Sequence, residues 1–113
     1  MKNSDIINLA TVQKADPRFT YLSANLRHVR DYDIQKCVRD NEPLLIAEAK
    51  AITESITAAF GANWHWSDPQ VIEILERDST LKLSKVKISE EKLRQLNPNW
   101  DVMYCLDFIS TTK

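Results

Sequence analysis

Only one glycine occurs in this chain, Gly61. Average usage of about 7% would place roughly eight in a chain of this length. Glycine supplies positive φ in tight turns and lets backbone approach a ligand closely. With one such residue, Walker loops, dinucleotide fingerprints and nucleophile elbows are excluded by composition. The same scarcity favours helices joined by Asn, Asp, Ser and Pro turns over a sandwich of many tight hairpins.

Metal and cofactor ligands are equally scarce. The chain has two cysteines, Cys37 and Cys105, and two histidines, His28 and His65, all widely separated. Structural zinc needs ligands paired about two to five residues apart, and nothing here has that spacing. No metal and no cofactor are expected. No apolar run approaches the roughly 18 residues of a membrane span. The first residues, Met-Lys-Asn-Ser-Asp, contain no apolar signal core. The expectation is therefore a cytoplasmic protein with no membrane association and with free, packed thiols.

What is present suits one globular domain over residues 1–113. Hydrophobic residues make up 43% and charged residues 27% of the chain, enough for a core and too apolar for disorder. The formal net charge is −1, but the charges are segregated. Residues 1–39 carry seven bases and four acids, residues 40–79 two and eight, and residues 80–113 six and four. An acidic middle between basic ends makes the molecule electrically polar.

Hydrophobic periodicity predicts five main helical segments. They lie near residues 4–15, 18–30, 33–39, 42–60 and 68–78. Asn41 followed by Pro43 reads as a cap and first turn, and Gly61 as the stop. Ser67-Asp68-Pro69 opens the next helix by the same logic. From Thr80 the period changes, with Leu81, Leu83, Val86 and Ile88 alternating with lysines and a phase slip at Ser84. A helical turn or two follows over 89–96, then a turn at Asn97-Pro98-Asn99. Residues 101–109 read as the clearest strand. The expected architecture is α+β: a mostly helical single domain with a small C-terminal β-sheet of two or more strands. Two strands alone are marginal, so self-association through that sheet is a further expectation.

No constellation for catalysis emerges. Cys37 could be activated by His28, but a cysteine on the apolar side of a short helix is normally packing. The pairs Asp31/Asp33, Glu73/Glu76 and Glu90/Glu91 are what solvated faces carry.

Nucleic-acid contact has two candidate groups. Arg27 and Arg30 lie with His28 near Tyr21 and Tyr32, and Lys82, Lys85 and Lys87 alternate along the C-terminal segment. Against this, the helix over 68–78 carries four acids and one base, and the total charge is slightly negative.

The Trp64-His65-Trp66 loop stands out most. Tryptophan is the residue most enriched at binding hot spots, and in an extended loop both indoles would face one way and His65 the other. The competing reading is a lid packed over the helix junction. Trp100, after the Asn-Pro-Asn turn, has the same two readings.

The expectation is a non-enzymatic protein-binding module: an adaptor, an assembly factor or an inhibitor of a larger protein machine. Accessory proteins of phages and plasmids supply an analogy of size and kind. Its contact residues would be Trp64, His65, Trp66 and Trp100, and its partner another protein. The alternatives are a nucleic-acid binder using Arg27, Arg30, Lys82, Lys85 and Lys87, and a small enzyme whose site is scattered in sequence.

Overall fold

The computed structural model describes residues 1–26, 29–96 and 109–112. Five helices and two four-residue strands follow in the order α1 (Asn3–Ala10), α2 (Tyr21–Leu26), α3 (Tyr32–Phe60), α4 (Pro69–Leu75), β1 (Val86–Ser89), α5 (Glu90–Leu96) and β2 (Ile109–Thr112).

The chain is mostly helical, and α3 is its axis. Ile34, Cys37, Val38, Leu45, Ile52 and Ile56 make one buried stripe along α3. Ile6 and Leu9 of α1, Leu22 and Leu26 of α2, Val71 of α4 and Ile88 of β1 close over it. Helical spacing at these positions is what brings them to one face.

Helix α1 starts two residues before the expected Ser4 cap. Lys2 holds the cap position, and the Asp5 carboxylate accepts its backbone N–H at 3.0 Å. The helix stops at Ala10, well before Pro17. The chain then folds back, with Val12 bridged antiparallel to Thr20. The N–H of Gln13 donates to the Phe19 carbonyl at 2.9 Å, and that of Tyr21 to the Thr11 carbonyl at 2.8 Å. Those bonds use residues 18–20 for the turn, so α2 begins only at Tyr21.

The two segments expected over 33–39 and 42–60 are one helix of 29 residues. Asp31 caps it, its carboxylate accepting the Ile34 N–H at 3.0 Å. Pro43 lies inside α3 rather than at its start. An interior proline removes the bond to the carbonyl four residues back, here that of Arg39. Both residues are exposed, so water reaches the break and the buried stripe continues past it. Asn41, read from sequence as the cap, is fully buried.

The expected α+β architecture does not hold. Among the described residues, no sheet layer forms on which helices could pack. β1 is four residues long, and a parallel ladder of four pairs, Val86 with Ile109 through Ser89 with Thr112, is all that β2 adds. The stretch from Thr80 to Lys85, expected as strand, runs outside any strand. The reason lies in its hydrogen bonds. The Asn41 amide donates to the Ser84 carbonyl at 2.9 Å and accepts the Ser84 N–H at 2.8 Å. A side chain of α3 thus takes the place of a neighbouring strand. The strand expected over 101–109 lies outside the described residues, apart from Ile109 in β2. Cys105 also lies outside them.

Among the described residues, no helix is long and apolar enough to cross a membrane.

Candidate functional site

The Trp64-His65-Trp66 segment occupies the junction between α3 and α4. Gly61 ends α3 at φ 83°, ψ 178°, and its N–H donates to the Thr57 carbonyl at 2.9 Å. That backbone region is essentially reserved for glycine, so the chain's single glycine sits where the helix must stop and reverse.

Trp64 then folds back on α3. Its indole N–H donates to Thr57 Oγ1 at 2.9 Å, and its half-buried ring packs against the core. Trp66 lies against Trp64 with ring centroids 4.6 Å apart and planes at 87°. Such an edge-to-face pair satisfies the ring quadrupoles. Trp66 remains 49% exposed. The loop is therefore not the extended one that would point both indoles the same way: one anchors the other.

Backbone and side-chain bonds fix the rest of the turn. The His65 N–H donates to Asp68 Oδ2 at 2.9 Å, and the Asp68 N–H returns to the His65 carbonyl at 3.0 Å. His65 Nδ1 lies 2.7 Å from Ser67 Oγ and accepts the Ser67 N–H at 3.2 Å. An Nδ1 that accepts from a backbone amide places the neutral ring's proton on Nε2. His65 itself is exposed. The arrangement presents a half-exposed indole from a loop held at both ends, with an imidazole beside it. Trp100 lies outside the described residues.

The basic candidates are distributed differently. Arg30 is exposed on the short connection before α3, and Arg27 and His28 lie outside the described residues. Lys85 and Lys87 line a groove of about 450 Å³ together with Asp33, Lys36 and Asp40 of α3. Lys82 and Lys85 edge a second groove, of about 530 Å³, with Met1, Leu81 and Leu83. A phosphate chain on the first groove would meet two carboxylates as well as the lysines.

Cys37 has little of the character of a nucleophile. It is 5% exposed, its thiol lies 3.2 Å from the Ser84 carbonyl, and burial pushes its pKa up. An activated cysteine needs the opposite shift. Glu73 and Glu76 are engaged on the surface by Arg77 at 3.4 Å and Lys2 at 2.7 Å. Among the described residues, no cluster of three or more His, Cys, Asp or Glu could hold a metal ion.

Sequence reasoning missed the polar side chains that fasten α3 to its neighbours. Asn41 clips Ser84. The Glu42 carboxylate accepts from the hydroxyls of Thr20 and Ser23 at the start of α2. Gln35 Nε2 donates to the carbonyls of Leu26 and Val29 at 2.7 and 2.8 Å, closing the end of α2. The signal was there at Asn41, a polar residue at a position of the buried period, but its place before Pro43 gave it a second meaning as a cap.

No family model, curated protein or solved structure matches this chain.

Proposed function

We propose that this protein is a small non-enzymatic binding module that recognises another protein through the Trp64-His65-Trp66 loop. Its role would be that of an adaptor, an assembly factor or an inhibitor. The observation that carries the reading is the half-exposed Trp66, held edge-on by the core-anchored Trp64. A rigid aromatic contributes large contact area with little entropy left to lose on binding, and tryptophans in such settings dominate interface energetics. His65 and Ser67 supply polar contacts at the rim. Protein is favoured over nucleic acid because Asp33 and Asp40 stand among Lys36, Lys85 and Lys87 in one groove.

The test is capture of a partner by tagged protein from the source-cell lysate, with and without nuclease, and with two variants. Trp66→Ala is expected to lose the nuclease-resistant partner while its stability changes by less than about 1 kcal/mol, since half the ring is already in water. Trp64→Ala loses the partner and also destabilises the fold by about 1–3 kcal/mol through the lost packing. A partner retained at full strength by Trp66→Ala, or one that disappears with nuclease, would remove this reading.

A further inference from the structure

A second surface is independent of the tryptophan loop. Ile7 and Ala10 of α1 and Ile46, Ala49, Lys50, Thr53 and Glu54 of α3 line an apolar groove of about 300 Å³. Ile46 is 44% exposed, and Phe60, further along α3, is 41% exposed. Ile46, Thr53 and Phe60 are spaced by seven residues, the repeat that keeps one line of side chains facing a neighbouring helix. The Thr53 hydroxyl is turned into its own helix, donating to the Ala49 carbonyl at 2.9 Å. That leaves its methyl group for the seam.

We propose that this face of α3 pairs antiparallel with the same face of a second copy, about a two-fold axis passing at Thr53. The argument for a second copy is the self-complementary order of the residues. Rotation about Thr53 places Ile46 of one copy opposite Phe60 of the other, twice. It also places Lys50 of one copy beside Glu54 of the other, offset by two residues, or about 3 Å along the axis. A two-fold contact requires one patch to complement itself. Within one chain, Lys50 and Glu54 are only loosely engaged, at 4.0 Å and largely exposed, so exchange between copies sacrifices little. The seam is small against the roughly 1,200 Å² or more of a stable complex. The dimer is accordingly weak, with a dissociation constant on the order of 100 µM.

Sedimentation equilibrium of the purified full chain from about 10 µM to 1 mM tests the pairing at these values. The mass is expected to rise from 13.1 kDa towards twice that value. Lys50→Glu and Glu54→Lys each weaken association roughly tenfold, and combining them restores it, as coupled partners do. Thr53→Cys, in a Cys105→Ser background, is expected to form an intermolecular disulfide on mild oxidation, because the axis brings the two positions together. Lys50, Thr53 and Glu54 precede the tryptophan loop along α3, so partner capture by Trp66 serves as the control for an intact fold. A monomer at every concentration overturns the proposal. So does a dimer that ignores both charge reversals and leaves Thr53→Cys uncrosslinked.

Discussion

At the scale of single residues, polar side chains at the cap and along α3 fasten its neighbours in place, because hydrogen bonds have direction. Asp31 illustrates this. Its carboxylate caps α3 through the Ile34 N–H and meets Lys92 of α5 at 2.7 Å, with only 8% of the side chain exposed. Hydrogen bonding to Lys92, with help from the backbone at Ile34 and Asp33, holds the carboxyl below the usual carboxylate range. A depressed carboxylate pKa stabilises the fold above the unfolded-state value near 3.8 and loses that contribution as pH falls through the folded-state value. Asp31→Asn keeps a good capping side chain but removes the ion pair. It is expected to lower stability at pH 7 by about 0.5–1 kcal/mol and to flatten the loss below pH 4. Urea denaturation between pH 2.5 and 7 measures both effects. An unchanged acid limb in this variant would mean the pair with Lys92 is not formed in solution.

At the scale of elements, periodicity located the helices of the described residues, and capping logic misplaced several ends. The stretch from Asn41 to Pro43 carried two messages. Its cap-then-proline order is a helix start, whereas the apolar positions on either side stay in one phase: Ile34, Cys37 and Val38 before, Leu45, Ile52 and Ile56 after. Phase prevailed, because one continuous buried stripe gains more than a proline break loses at a solvent face. The continuous helix has a measurable consequence. Pro43→Ala restores an interior hydrogen bond and should stabilise the protein by about 1–3 kcal/mol. At the first position of a separate helix the same change would be neutral or slightly harmful. Thermal melts distinguish the two.

Of the strand expected over 80–88, residues 86–88 fall in β1, and residues 80–85 stay outside it for a different physical reason. Alternation correctly gave Leu81 and Leu83 partial burial and left Lys82 and Lys85 exposed. It cannot say what pairs with the backbone, and at Ser84 a side chain 43 residues away does so. At the loop, sequence identified the tryptophans. It could not show that Trp64 would anchor Trp66, since that depends on Thr57 one turn back in α3.

At the scale of the whole molecule, α3 separates the Ser84 clip from the tryptophan junction. The helix holds its polar clip to Ser84 within its first half and leads into the tryptophan junction at its C-terminal end. Antiparallel pairing about Thr53 would set two such junctions at opposite ends of one seam, doubling the number of contacts a partner array could make. The Asn41–Ser84 clip also orders events in time. It joins positions 43 apart in the chain, so its formation waits on loop closure, whereas the turns of α3 need only near neighbours. The clip is therefore a late step on the way to the native state and an early one to be lost. Asn41→Ala leaves two Ser84 backbone groups without their partner and should cost about 2–4 kcal/mol. Stopped-flow measurements should find nearly all of that loss in unfolding, faster by more than about tenfold, with refolding changed by less than about twofold. What reads as a static fastening is then the feature that sets how long each molecule stays folded.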